Sequence, residues 1–499
     1  MRLHSPGRRL ALLAALGTLV LAPHARAQQP EPTVVDPNLA VRTVAEGFVQ
    51  PTGLAFLGPN DMLVNEKSTG RVMRVTDGVI QGPVLDLAVN SNSERGLLGI
   101  ALHPSFHVNG WVYLFWTEST TGVDTNVNGD VALLGNRVDR FVWDGTTLTH
   151  DLEITRFRAA QPAVAASPPL PAQNAAGNHD GGVIRFGPDG KLYVIVGDTG
   201  RRGWMQNLRC GPFGLATIYT CPPDPTVPDD AFGGPEPDDA HLTGVIVRLN
   251  DDGTTPADNP FFSFGAELGG EVGRNVQKIY AYGIRNSYGM NFDPISGDLW
   301  QNENGDDTFS ELNRVEPGMN SGWVQIMGPL SRLHEFKQIE TTPPFVGLQQ
   351  NRWPPANIAD SPEEALDRLF MLPGAHFSDP EFAWKFEVAP AALGFVSGRA
   401  LGPQYNGDLF MGGARNFFLS GHIFRMEITG DRRKVGVDDP RIEDRVADNL
   451  AKFEGTESDS LVFGQGFGLT TDILQGPNGN LFVLSNTRGA LYEIHRTRR

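Results

Sequence analysis

The chain has 499 residues, of which 58 are Gly, 37 Pro and 2 Cys, with 40% hydrophobic residues and a formal net charge of −17. That acidity excludes nucleic acid and anionic membrane as electrostatic partners and suits a soluble protein that takes up cations. About 470 residues beyond a leader would ordinarily mean two or three domains, unless a repeat sets the architecture.

Residues 1–27 read as that leader. Arg2, Arg8 and Arg9 precede an apolar run from Leu10 to Ala22, and Ala25-Arg26-Ala27 is a small-x-small cleavage site, the pattern of a secretory signal peptide. The run is too short to span a bilayer, and no later stretch is long enough, so no membrane span is expected. The residues after Arg8-Arg9 depart from a twin-arginine signal, so Sec export to the periplasm or medium is expected. Cleavage removes four arginines and takes the charge from −17 to −21. Residues 28–40 follow as a linker.

Six segments then repeat one design: a proline, a polar or glycine turn, and an apolar strand. They centre on Pro59, Pro104, Pro188, Pro294, Pro403 and Pro477. The third runs Val183-Ile184-Arg185-Phe186, a Pro188-Asp189-Gly190 turn, then Leu192-Tyr193-Val194. Short apolar strands precede most units, such as Leu54-Ala55-Phe56, Ile100-Ala101-Leu102 and Met290-Asn291-Phe292. Others follow, such as Arg71 to Val75, Val245 to Leu249, Ile423 to Met426 and Leu491 to Ile494. Helical periodicity is almost absent. Such sheets bury both faces only by packing on one another in a ring, so the expected fold is all-β. Residues 41–496 are expected to form a single six-bladed β-propeller of four-stranded antiparallel blades. A tandem of β-sandwiches is the structural alternative.

The prolines are 45, 84, 106, 109 and 74 residues apart, and only the first interval approaches a bare blade of about 40–45 residues. The surplus forms long inserted loops. Residues 159–176 are Ala/Pro-rich and read as extended. Residues 200–243 hold Cys210 and Cys221 and an acidic, Pro-rich stretch. Residues 329–383 carry one short helix, Pro362 to Phe370, and residues 430–467 are charged. Loops around a ring build a lid over a central site or simply decorate it, and both readings are open for 430–467. In an oxidising compartment Cys210 and Cys221 are expected to form a disulfide, contributing about 3 kcal/mol on loop-entropy grounds. A metal site would need more ligands than this pair offers.

Three stretches concentrate chemistry where strands end: Glu94-Arg95-Gly96, Asn178-His179-Asp180, and Gly283-Ile284-Arg285-Asn286 with Asn302 to Asp307. On a ring, loops at one end of different blades converge. His179 titrates near neutrality and is the candidate general base, with Asp180 or a backbone carbonyl to fix its tautomer. The alternative is a histidine that only bridges blades. Asn302 to Asp307 is rich in oxygen ligands suited to Ca²⁺ but lacks the EF-hand spacing, so a capped turn is equally open. Arg285 would pair with a carboxylate-rich ligand or form a salt bridge between blades. No G-x-S-x-G elbow, Walker loop or zinc pattern occurs.

Taken together, Pro51-Thr52-Gly53-Leu54-Ala55-Phe56, Glu94-Arg95-Gly96-Leu97-Leu98-Gly99, Asn178-His179 through Gly197-Asp198, Gly283-Ile284-Arg285-Asn286 and Val388-Ala389-Pro390 resemble the soluble glucose/sorbosone dehydrogenases. Those are exported six-bladed propellers that use pyrroloquinoline quinone (PQQ) and Ca²⁺. The resemblance spans about residues 40–495. It implies an aldose dehydrogenase that passes electrons to an external acceptor, with His179 as catalytic base. It also implies Glu94 and Asn304 in the sugar pocket and Arg285, Asn286 and Arg415 on the cofactor. The carbonyls of Gly305 and Asp306 would hold Ca²⁺. Three departures stand out. Ser310 replaces an acidic residue, and Leu469 and Thr471 stand where the family carries two cofactor-binding arginines. Lys385 and Glu387 replace an aromatic and a Thr that cover the cofactor, with Trp384 adjacent. Related propellers also bind proteins, so a non-catalytic module binding protein or polysaccharide, or a Ca²⁺-dependent lactonase-type hydrolase, is the alternative.

Overall fold

The Pro188-Asp189-Gly190 turn shows how the sequence builds its repeating unit. Gly190 takes φ +72, Asp189 Oδ1 accepts from the Lys191 N–H at 3.0 Å, and Gly187 and Lys191 close the hairpin at 2.9 Å. The aspartate caps its own turn and glycine supplies the left-handed conformation. The hairpin sets Ile184–Phe186 against Leu192–Val196, and Val245–Leu249 and Ile279–Tyr282 follow antiparallel. Every residue of Leu192–Val196 is buried, which explains its unbroken apolar run.

The computed structural model describes residues 31–160, 177–200, 204–207, 242–342, 358–415 and 420–497. Cys210, Cys221 and the leader lie outside them. Residues 32–499 form one compact unit. Its strands fall into six mainly antiparallel sheets. In chain order, their innermost strands are Pro51–Gly58, Leu97–Leu102, Ile184–Phe186, Gly289–Phe292, Pro390–Phe395 and Thr470–Gln475. Each packs on the next, and Thr470–Gln475 packs on both Pro390–Phe395 and Pro51–Gly58. The apolar core is accordingly divided among the sheet interfaces. One cluster joins Leu63 to Leu114, another Phe115 to Val194, and another Leu54 to Leu484. The molecule is a β-propeller. Leu39–Glu46 pairs antiparallel with Ala490–Arg496, so the last sheet is completed by the start of the chain.

All six proline turns fall where expected, between an innermost strand and the next one out. Other features depart from expectation. Thr33–Val34, assigned to the linker, pairs with Val462–Gln465. The expected helix is present as Pro362–Arg368, with Ser361 Oγ accepting from the Glu364 N–H. Among the described residues, three further helices of seven residues or more were not foreseen, Phe262–Leu268, Gly270–Lys278 and Leu333–Thr341, nor was the single turn Phe106–Asn109. Glycine hid the first two by lowering helix propensity. Its role there is contact, since a Cβ at Gly265 would sit 2.5 Å from the Gly273 carbonyl oxygen.

Candidate active site

The innermost strands all begin at one end of the ring, and the residues at those beginnings wall a cavity of about 420 Å³. Gln50, Glu94, His179, Arg285, Ala389 and Leu469 enter it from six different sheets.

His179 sits on a sharp bend. Its φ is +60, followed by Gly181 at +63 and Gly182 at +96, and its backbone N–H donates to Glu94 Oε2. The ring is buried, with Nδ1 2.6 Å from Asp198 Oδ1. A carboxylate only accepts, so Nδ1 donates to Asp198, and in the neutral ring Nε2 is the basic nitrogen. Asp198 is itself fixed by the Gly200 N–H and Trp323 Nε1, both at 2.8 Å, and its own N–H donates to Arg285 O. The expectation that Asp180 orients the ring is therefore corrected. Asp180 turns away to accept from Asn136 Nδ2 at 2.8 Å. Burial raises its carboxyl to about 6, with Arg95 and Asn136 offsetting part of the effect. Arg95 is buried behind the same segment, bonded to Ala159 O and Asn128.

Arg285 and Asn286 precede the strand Gly289–Phe292. The Arg285 backbone N–H donates to Glu303 Oε1 at 2.6 Å, Nη2 pairs with Asp306 Oδ1 at 2.8 Å, and Nη1 donates to Asn304 O. Asn286 Nδ2 reaches Glu94 Oε2 at 3.4 Å, and its buried Oδ1 has no hydrogen-bond partner among the described residues. Asn304 also reaches the cavity, tied to Pro390 O through Nδ2.

Gly305 and Asp306 lie in a tight turn after the strand Leu299–Glu303, where a Cβ on Gly305 would collide with the Thr308 and Phe309 carbonyls. Beside this turn, where the sequence pointed to the Gly305 and Asp306 carbonyls, lies a cluster of side-chain carboxylates with one unforeseen member. Oxygens of Asp306, Asp307 and Glu340 lie within 4.8 Å of one another, Glu340 arriving on the helix Leu333–Thr341. Burial, reinforced by Asp306 and Asp307, pushes the Glu340 carboxyl well up. Lys452 Nζ meets the cluster at Asp307 Oδ1 (2.7 Å) and Asp306 O (3.1 Å).

Leu469 and Thr471 line the wall, as does Glu387. Glu387 accepts from Ser310 Oγ at 3.0 Å, so it supplies the carboxylate that Ser310 itself lacks. Burial raises it to about 7 against the pull of Arg285 and Lys452. Trp384 is buried among Phe382 and Phe424 and is not on the wall, and Lys385 pairs with Glu335 instead. Arg415 ends the strand Leu409–Arg415; its side chain lies outside what is described. Sequence reasoning missed Lys67, Lys452 and Phe453 on the wall, and no local pattern marks them. Gly197-Asp198 was quoted for the resemblance, but nothing in its spacing assigned it to His179.

The model of the Glucose / Sorbosone dehydrogenase family matches residues 48–329. The chain belongs to that family. This glucose/sorbosone dehydrogenase family member is 25% identical to aldose sugar dehydrogenase YliI of Escherichia coli, over 91% of its length and 92% of the relative's. It is 26% identical to quinoprotein glucose dehydrogenase B of Acinetobacter calcoaceticus, over 58% of its own length and about half, 53%, of that protein's. Its fold matches the PQQ-bound form of aldose sugar dehydrogenase from Streptomyces coelicolor with a TM-score of 0.53 and 22% identity, covering 93% and 99% of the two chains.

Proposed function

We propose that the protein is an exported, single-domain, six-bladed PQQ- and Ca²⁺-dependent dehydrogenase that oxidises an aldose at C1. The observation that carries this reading is the His179–Asp198 pair on the same cavity as Arg285 and Asn286. A binding module needs no oriented imidazole base beside buried cofactor-type cations.

The residues fit both groups. A polycarboxylate quinone would meet Lys67, Arg285 and Lys452 on the wall, and the unsatisfied acceptor Asn286 Oδ1 would take an N–H of its ring system. The Gly305 and Asp306 carbonyls, backed by the carboxylates of Asp306, Asp307 and Glu340, are the hard oxygen donors Ca²⁺ takes. The relative named a quinoprotein glucose dehydrogenase supports the quinone. When bound, PQQ supplies the two-electron acceptor for the C1 hydride and hands the electrons to an external acceptor.

The chain does the rest. His179 Nε2 takes the C1 hydroxyl proton as the hydride departs, and Asp198 holds the ring in register and stabilises the imidazolium that results. Glu94 and Asn304 hold sugar hydroxyls. Arg285, Asn286 and Arg415 hold the cofactor's oxygens and carboxylates. Reconstitution of purified apo-protein with PQQ and Ca²⁺, followed by a dye-linked assay across aldoses, tests the proposal. Turnover that requires both additions is expected; full reconstitution without turnover of any aldose would overturn it.

A further inference from the structure

We infer that the loop 449–458 clamps the cofactor, Lys452 pairing with one of its carboxylates and Phe453 covering its rings. This rests on the PQQ reading above and adds residues that nothing in the sequence pattern assigned.

The electrostatics call for another cation. PQQ brings three carboxylates, and the cavity already holds Glu94, Asp306 and Glu387. Leu469 and Thr471 contribute no charge there. Lys67 Nζ is turned to the carbonyls of Ser91 and Ser93, and Arg285 is bound to Asp306. Lys452 is differently placed. An ammonium has three donors; Asp307 Oδ1 and Asp306 O take two. The third meets no hydrogen-bond acceptor among the described residues; Nζ lies over the Phe453 ring, 5.7 Å from its centre, in a side chain 21% exposed on the cavity wall.

The loop presents these groups from a fixed frame. Asn449 is buried and ties the loop to itself, donating to Glu454 O at 2.7 Å and accepting from the Glu457 N–H at 3.1 Å. Phe453 takes φ +60, a conformation a bulky residue rarely adopts, and its N–H donates to Glu387 O at 2.8 Å. Backbone strain held by surrounding bonds is a mark of a residue placed for a ligand. The half-buried ring reaches the cavity rather than the core, and a flat aromatic there suits stacking on a fused-ring quinone.

The test is equilibrium titration of apo-protein with PQQ at saturating Ca²⁺, followed by quenching of tryptophan fluorescence. Lys452→Met should weaken PQQ binding about 10- to 100-fold and flatten its salt dependence, with Lys452→Arg restoring much of both. Phe453→Ala should weaken it about 2- to 10-fold. The double variant Asp307→Asn/Lys452→Met removes the carboxylate that loss of Lys452 would strand, and it should bind as weakly as Lys452→Met. Wild-type affinity in that double variant would mean that Lys452 only neutralises Asp307, and the inference would fall. Wild-type affinity in both single variants would overturn the clamp while leaving the cofactor reading intact. Wild-type protein that never takes up PQQ would overturn both.

Discussion

His179 and Asp198 lie 19 residues apart and 2.6 Å from contact. His179→Gln preserves size and one hydrogen bond but removes the base. In the PQQ- and Ca²⁺-loaded enzyme it should lower kcat about 10²–10⁴-fold with PQQ affinity little changed. Asp198→Asn should lower kcat in the same direction, by about 10-fold or more, because an amide also stabilises the tautomer with its proton on Nε2. Steady-state kinetics beside a PQQ titration separates these outcomes, and wild-type kcat in His179→Gln would remove the base from the mechanism. The histidine was legible because an isolated imidazole among glycines stands out. Its partner was not. Asp180 is adjacent in the chain, but with His179 at φ +60 it is directed to Asn136. Adjacency along a bent backbone gives no shared direction.

The strands around the proline turns were mostly legible, because proline turns and apolar runs state them locally, whereas Val131–Trp143, Leu148–Phe157 and Thr308–Val315 were not. Among the helices only Pro362–Arg368 was legible; the loop 449–458, whose role depends on which sheet it folds across, was not. One glycine shows how much the site relies on strand packing. Gly197 leaves Leu192–Val196 between the His179 and Arg285 backbones. A Cβ there would collide with His179 O and lie 2.7 Å from Arg285 O. Gly197→Ala should therefore spread the proposed base and cofactor segments together, costing about 1–3 kcal/mol of stability. It should also lower kcat and PQQ affinity at once, unlike His179→Gln. Thermal melts with parallel kinetics would show this; a melting temperature equal to wild type would mean the backbones yield without cost.

Buried carboxyls distribute a pH dependence over the whole molecule. Glu311 is buried on the strand Thr308–Val315 and shifted upward by burial, and Asp180 is raised to about 6. A carboxyl raised in the folded state binds more protons there than in the unfolded chain between its ordinary value, about 4, and its folded value. Stability from these groups is complete below that window and falls as pH rises through it. For Asp180 alone the loss is about 3 kcal/mol by pH 7. Asp180→Asn should flatten the fall in melting temperature between about pH 4 and pH 6; an unchanged slope would place the dependence elsewhere. Ca²⁺ should act in the opposite sense, stabilising the fold by mass action, by about 2.7 kcal/mol at a hundredfold excess over Kd, and so raising the melting temperature. Melts with chelator and after adding Ca²⁺ back check this.

The last sheet joins the two ends of the chain. Arg42 on Leu39–Glu46 meets Glu493 on Ala490–Arg496 across 451 positions. Five sheets can be assembled from what a growing chain already offers, whereas this one must wait for its final strand. The ring is then shut by a single latch, and the mouth that gathers His179, Arg285 and Lys452 takes its final dimensions only once Ala490–Arg496 is in place. A chain without Ala490–Arg496 would carry His179, Arg285 and Lys452 but lack the strand that pairs with Leu39–Glu46 to complete the last sheet.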